Sequence, residues 1–182
     1  MRKKLIFVSA ALLLCAGFAM SAGTGTVKLT VTVVPTLSVC VSRSGFDFGT
    51  LNAAAASVAA ESTAVINDST DAVEKYSIRA SSAMGAVPWA LATSTGPDQY
   101  TLHAQFNSTR PPGDFGSGDD NYNLTYVAQT CDGTIFAGDQ DGYNTAPGTE
   151  ELLWFRIGVP SSVGSTDQKT IYVTIMALNQ GG

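Results

Sequence analysis

Apolar and polar residues alternate with a period of two along most of this chain. Val27–Val34 (VKLTVTVV) places Val27, Leu29, Val31 and Val33 on one face, the pattern of a half-buried strand. Pro35 interrupts the run, and Thr36–Val41 resumes it. Phe46–Gly49 is predicted as a short strand ending at its glycine. Thr63–Ile66 and Val73–Ala80 flank the polar stretch Asn67–Asp71 and predict a hairpin. In the second run Glu74, Tyr76, Ile78 and Ala80 share a face. Tyr100, Leu102, Ala104 and Phe106 alternate with Thr101, His103 and Gln105, and Tyr122–Thr130 is strand-like. Glu151–Val159 presents Leu153, Phe155, Ile157 and Val159 on one face. Lys169–Leu178 presents Ile171, Val173, Ile175 and Ala177. The alanine-rich Leu51–Ala60 is too short to hold a helix by itself, so a loop with at most one helical turn is expected. Polar loops at 107–121, 131–149 and 160–167 separate the strands. The pattern predicts an all-β protein, a β-sandwich or jelly roll of about 8–10 strands with no substantial helix.

The first residues break this alternation. Arg2, Lys3 and Lys4 precede the apolar run Leu5–Phe18, and small residues follow at Ala19, Ser21 and Ala22. This is the layout of a cleaved secretory signal, with an apolar core too short to span a bilayer. Leu14 precedes Cys15 where a lipid-attachment motif wants a small residue, so an unlipidated product is expected. The predicted organisation is a signal over residues 1–22, an N-terminal strand over 23–34 and one β-sandwich domain over 35–182. No further run of 18 apolar residues would anchor the product in a membrane.

Secretion changes the reading of charge and cysteine. The chain has 10 Lys and Arg against 15 Asp and Glu. Three of the basic residues lie in the signal, leaving 7 − 15 = −8. An acidic product with scattered basic residues is not expected to bind nucleic acid, which needs clustered Lys and Arg. Cys40 and Cys131 form an even pair in an exported chain, so a disulfide is expected over two separate buried thiols. It would close a loop of roughly 90 residues, worth about 4 kcal/mol on the chain-entropy view.

Catalytic chemistry is poorly represented. His103 is the only histidine. It sits on the polar side of a strand, where a surface or edge residue is the expectation, and nothing signals the partners a triad needs. Metalloprotease, phosphate-loop and zinc spacings are absent. Asp139-Gln140-Asp141-Gly142 begins like a calcium loop, with Asn144 nearby. It lacks the closing Glu, so a solvated turn is favoured and Asp139 and Asp141 are the candidate calcium ligands. No other cofactor is expected. Asn67, Asn107 and Asn123 begin Asn-X-Ser/Thr sequons, which would place them at the surface of a glycosylated product.

Gly148-Thr149-Glu150-Glu151-Leu152-Leu153-Trp154-Phe155, with a variable loop and a final strand after it, resembles the C-terminal part of the TasA/camelysin-like proteins. The layout of Phe46–Ile78 is similar too, and so is a signal followed at once by a strand. The resemblance implies a jelly roll that polymerises into an extracellular fibre of a biofilm matrix. In such fibres the N-terminal strand of one subunit completes the sheet of the next.

Two functions follow as expectations. The first is a non-enzymatic, extracellular or cell-surface filament subunit that self-associates into a homopolymer. Val27, Leu29, Val31 and Val33 would be the inserted face of its donor strand, unless that strand pairs within its own chain. The alternative is a monomeric secreted Ig-like adhesion or glycan-binding module, with Tyr122, Tyr126 and Tyr143 as candidate contact aromatics.

Overall fold

The computed structural model describes Thr30, residues 35–115 and residues 120–181. The predicted signal and, apart from Thr30, the strand over Val27–Val34 with the candidate donor residues lie outside the described residues. The chain divides after Val33, and the architecture below belongs to the part from Val34 onward.

Nine strands form among the described residues: β1 (Val39–Val41), β2 (Ala56–Val58), β3 (Thr63–Asn67), β4 (Glu74–Ala80), β5 (Ala90–Leu91), β6 (Gln99–Phe106), β7 (Gln129–Thr130), β8 (Glu150–Gly158) and β9 (Val173–Asn179). The one helical element among them is a 3-10 turn at Asp120–Tyr122. The larger sheet runs β1-β3-β8-β6-β5, and β2 also pairs with β8. The smaller runs β7-β4-β9. The protein is all-β, and the two sheets share one core.

Strand β8 organises the larger sheet. Its first half pairs with β3, Thr63 opposite Leu153. Its second half pairs with β2 on the same side, Val58 opposite Arg156. Along its other side lies β6, Ala104 opposite Phe155. Leu153, Phe155 and Ile157 point into the core with Leu102, Ala104 and Phe106 of β6. Tyr76 and Ile78 of β4 meet them from the smaller sheet and are fully buried. The Tyr76 and Phe106 rings stack across the interface at 6.0 Å. Each buried Ile, Leu or Phe here contributes roughly 1.5–3 kcal/mol. On the outer side of β8, Trp154 packs with Val58 and Phe115 and donates its indole N–H to Asn107 O.

Three expectations about elements are corrected. The predicted hairpin does not form: β3 lies in the larger sheet and β4 in the smaller, so Asn67–Asp71 carries the chain across the core. Asn67 directs that crossing. Its amide donates to Ala72 O and Thr145 O and accepts from Ser69 N and Oγ. The alanine-rich segment forms β2 and no helical turn, because the open edge of β8 offers a ladder that outweighs alanine's propensity. Phe46–Gly49 is irregular. Its rings still serve the core, and Phe46 sits edge-on to Phe155 at 5.4 Å.

Candidate functional site

The two sheets do not close on each other along one side. Strand β1 ends the larger sheet and β9 ends the smaller, so each keeps an edge without a ladder among the described residues. Between these edges runs an apolar cleft of about 1410 Å³. Phe155 and Ile157 of β8 form its floor. Val39 and Val41 of β1, with Phe46 and Phe48 from the following loop, line one wall. Val173 and Ile175 of β9 line the other.

The burial of paired residues shows what this geometry leaves undone. On β4 the inward side chains Tyr76 and Ile78 are fully buried. Their neighbours across the ladder are Ala177 and Ile175 of β9, which stay half-buried. The alternation is the same in both strands. What differs is that β4 has a strand on each side and β9 has one on a single side. Apolar residues facing a core gap, beside main-chain N–H and C=O groups that no described residue pairs, are the two parts of a strand-accepting surface.

Ionisable groups brace the chain segments that lead into the cleft walls. Before β9, Lys169 is nearly buried and ion-paired to Asp167, with its ammonium 5.3 Å from the Trp89 ring centroid. Asp167 also accepts Ala86 N–H. These contacts, Lys169 first, hold the Asp167 carboxyl far below its usual range. The chain entering β1 is held by Glu74, which is fully buried and accepts Ser38 N–H at 2.8 Å. Burial pushes Glu74 above the usual carboxylate range, and the Ser38 bond only partly offsets it.

No family model, curated protein or solved structure matches the chain. The reading of this site therefore rests on its own geometry.

The other predicted site residues lie elsewhere. Cys40 and Cys131 are not joined: both are free thiols. Cys40 is exposed on β1, opposite Ile66 of β3. Cys131 is fully buried in the core, where its N–H donates to Tyr76 O. An outward residue of one sheet and an inward residue beside the other cannot bridge. Burial, with Glu151 nearby, pushes the Cys131 thiol up to about 12. A thiol reagent at neutral pH is therefore expected to label protein beginning at residue 23 once in the native state and twice after unfolding. Two labels on native protein, counted by mass spectrometry, would contradict this placement.

Two sequon asparagines are also corrected. Asn67 is fully buried and Asn123 is 5% exposed, so neither presents an amide for glycosylation. Asn107 is half-buried, with its amide N–H bonded to Thr109 O. Asp139 accepts Ser108 N–H and its hydroxyl, and Asp141 accepts Tyr143 N–H, so these acids brace loops. Among the described residues no group of three His, Cys, Asp or Glu is arranged to hold a metal. Tyr126 is half exposed but its hydroxyl accepts Leu91 N–H, and Tyr143 packs against the core. His103, expected at the surface or an edge, is buried at 4% exposure. The cleft itself was missed. It leaves no trace in the sequence, because Lys169–Leu178 alternates as a fully covered strand would.

Proposed function

We propose that this chain is a secreted structural subunit that assembles head-to-tail into an extracellular filament by strand donation. The observation that carries this reading is the half-buried inner face of β9 beside an edge with no ladder partner among the described residues. Val27–Val34 is an eight-residue stretch whose alternate residues Val27, Leu29, Val31 and Val33 are apolar. It suits the seven-residue edge of β9: main-chain bonds would extend the ladder, and the four side chains would fill the gap over Phe155 and Ile157. A donor on one subunit and an acceptor on the next form a heterologous contact that does not close, so it propagates as a fibre. The predicted signal supports an extracellular location, and the absent catalytic motifs favour a structural role.

Electron microscopy of the mature protein tests the assembly. Filaments are expected from protein starting at residue 23 and none from protein starting at residue 35. A peptide of residues 23–34 should bind the shortened protein and raise its melting temperature, which separates a lost donor from a lost fold. Normal filaments from the shortened protein would end the proposal.

A further inference from the structure

The outer face of the larger sheet holds a second concavity. It has a volume of about 290 Å³, near the lower end of the roughly 300–1,000 Å³ typical of small-molecule sites. Thr101 and His103 of β6 and Arg156 and Gly158 of β8 form its floor, and Thr93–Thr95 form part of its rim. Thr101 and His103 alternate with the core residues Tyr100 and Leu102, so this pocket opens on the face of the sheet opposite the apolar cleft.

Its chemistry is specific. Arg156 donates from Nε to Gly113 O at 3.1 Å and from a terminal nitrogen to His103 Nδ1 at 3.3 Å. Neither ion pair found among the described residues involves it, so its charge has no carboxylate partner there. The hydroxyls of Thr93, Ser94, Thr95 and Thr101 have no hydrogen-bond partner among the described residues. Gly158 keeps the floor open, because a Cβ there would strike Thr101 Oγ1. Ala54 on the opposite rim is held at a left-handed φ of 63°, a conformation that costs a non-glycine residue energy and clusters at binding sites.

An arginine with spare N–H groups recognises a carboxylate in two-point fashion. Four hydroxyls beside it, without partners among the described residues, suit a ligand that is itself rich in hydroxyls. We propose that this pocket takes a carboxylate-bearing sugar of the uronate type, its carboxylate on Arg156 and its hydroxyls on the Thr93–Thr95 rim and Thr101. The site is independent of strand donation. If the chain also polymerises, one pocket per subunit along a fibre would bind an acidic polysaccharide many times over.

Sodium glucuronate is the probe, with glucose and acetate beside it, titrated into protein starting at residue 23. Glucuronate is expected to shift the Gly158 amide and His103 ring resonances. Glucose should leave them in place, and acetate should bind at least tenfold more weakly. Arg156→Gln should raise the glucuronate Kd at least tenfold. The exposed rim pair Ser94→Ala with Thr95→Val should raise it severalfold, and it decides the matter if the arginine variant does not fold. Absence of any glucuronate response, unchanged affinity in both variants, or equal binding of acetate and glucuronate would overturn the assignment.

Discussion

Replacing Asn67 by alanine is expected to cost about 3–5 kcal/mol of folding stability. The side chain is fully buried, and each of its polar atoms is used. Nδ2 donates to Ala72 O and Thr145 O, both at 2.8 Å. Oδ1 accepts Ser69 N–H at 3.0 Å and the Ser69 hydroxyl at 2.6 Å. Alanine leaves Ser69 N–H in a dry site without a partner and takes one of two donors from Thr145 O, which keeps Glu74 N–H. An unpaired buried group costs about 1–3 kcal/mol, and the vacated volume adds to it. Asn67→Asp should be no better, because it removes both donors and sets a carboxylate against two carbonyl oxygens. Asp68→Ala, at the exposed next position, should change stability by less than about 0.5 kcal/mol. Urea midpoints for the three variants decide it. An Asn67→Ala protein as stable as Asp68→Ala would show that the crossing between the sheets is set by something other than this amide.

The same residue marks where reading the sequence stops. Alternation assigned the inward faces of β4, β6 and β8 correctly, since a period of two sorts one face from the other whichever partner a strand takes. It could not tell a turn within a sheet from a turn between sheets. Asn67–Asp71 has hairpin composition, and what makes it a crossing is a bond to Thr145, 78 residues further on. The disulfide failed for a related reason: compartment and parity argue for pairing, but only the fold decides that Cys40 faces out and Cys131 faces in. His103 alternates with core residues, so its side of β6 was legible. That side is covered as well, by Arg156 and by the Asn123 side chain that bonds the ring, and a covering loop leaves no periodic trace. The cleft is hidden most completely. The pattern of β9 matches that of a fully covered strand, and the lack of a second neighbour among the described residues is a fact of topology alone.

Acid is expected to destabilise the protein through His103 by about 3 kcal/mol between pH 7 and pH 4. The imidazole is 4% exposed, and burial lowers it to about 4, with Arg156 adding repulsion. An arginine only donates, so Nδ1 accepts from it and the ring proton sits on Nε2. A bond with Asn123 favours the charged ring but does not reverse the shift. In the unfolded chain the ring takes up a proton near its ordinary value of 6.5. Below that pH the unfolded state therefore binds the proton more readily, and stability falls until the folded value near 4 is passed. Glu74 and Glu151 act in the opposite sense. Burial raises both, so they favour the folded state when protonated, and that contribution fades as pH rises from their ordinary value of 4.5 through their folded values. The opposing trends overlap in mild acid, so the comparison must be made against a variant that leaves the carboxylates alone. His103→Asn is polar and does not titrate. Denaturant unfolding of both proteins across this range should show wild type losing about 3 kcal/mol more than the variant. Parallel curves would mean that the folded protein admits a charged His103, and that Arg156 and the cover over β6 leave room for water to solvate it.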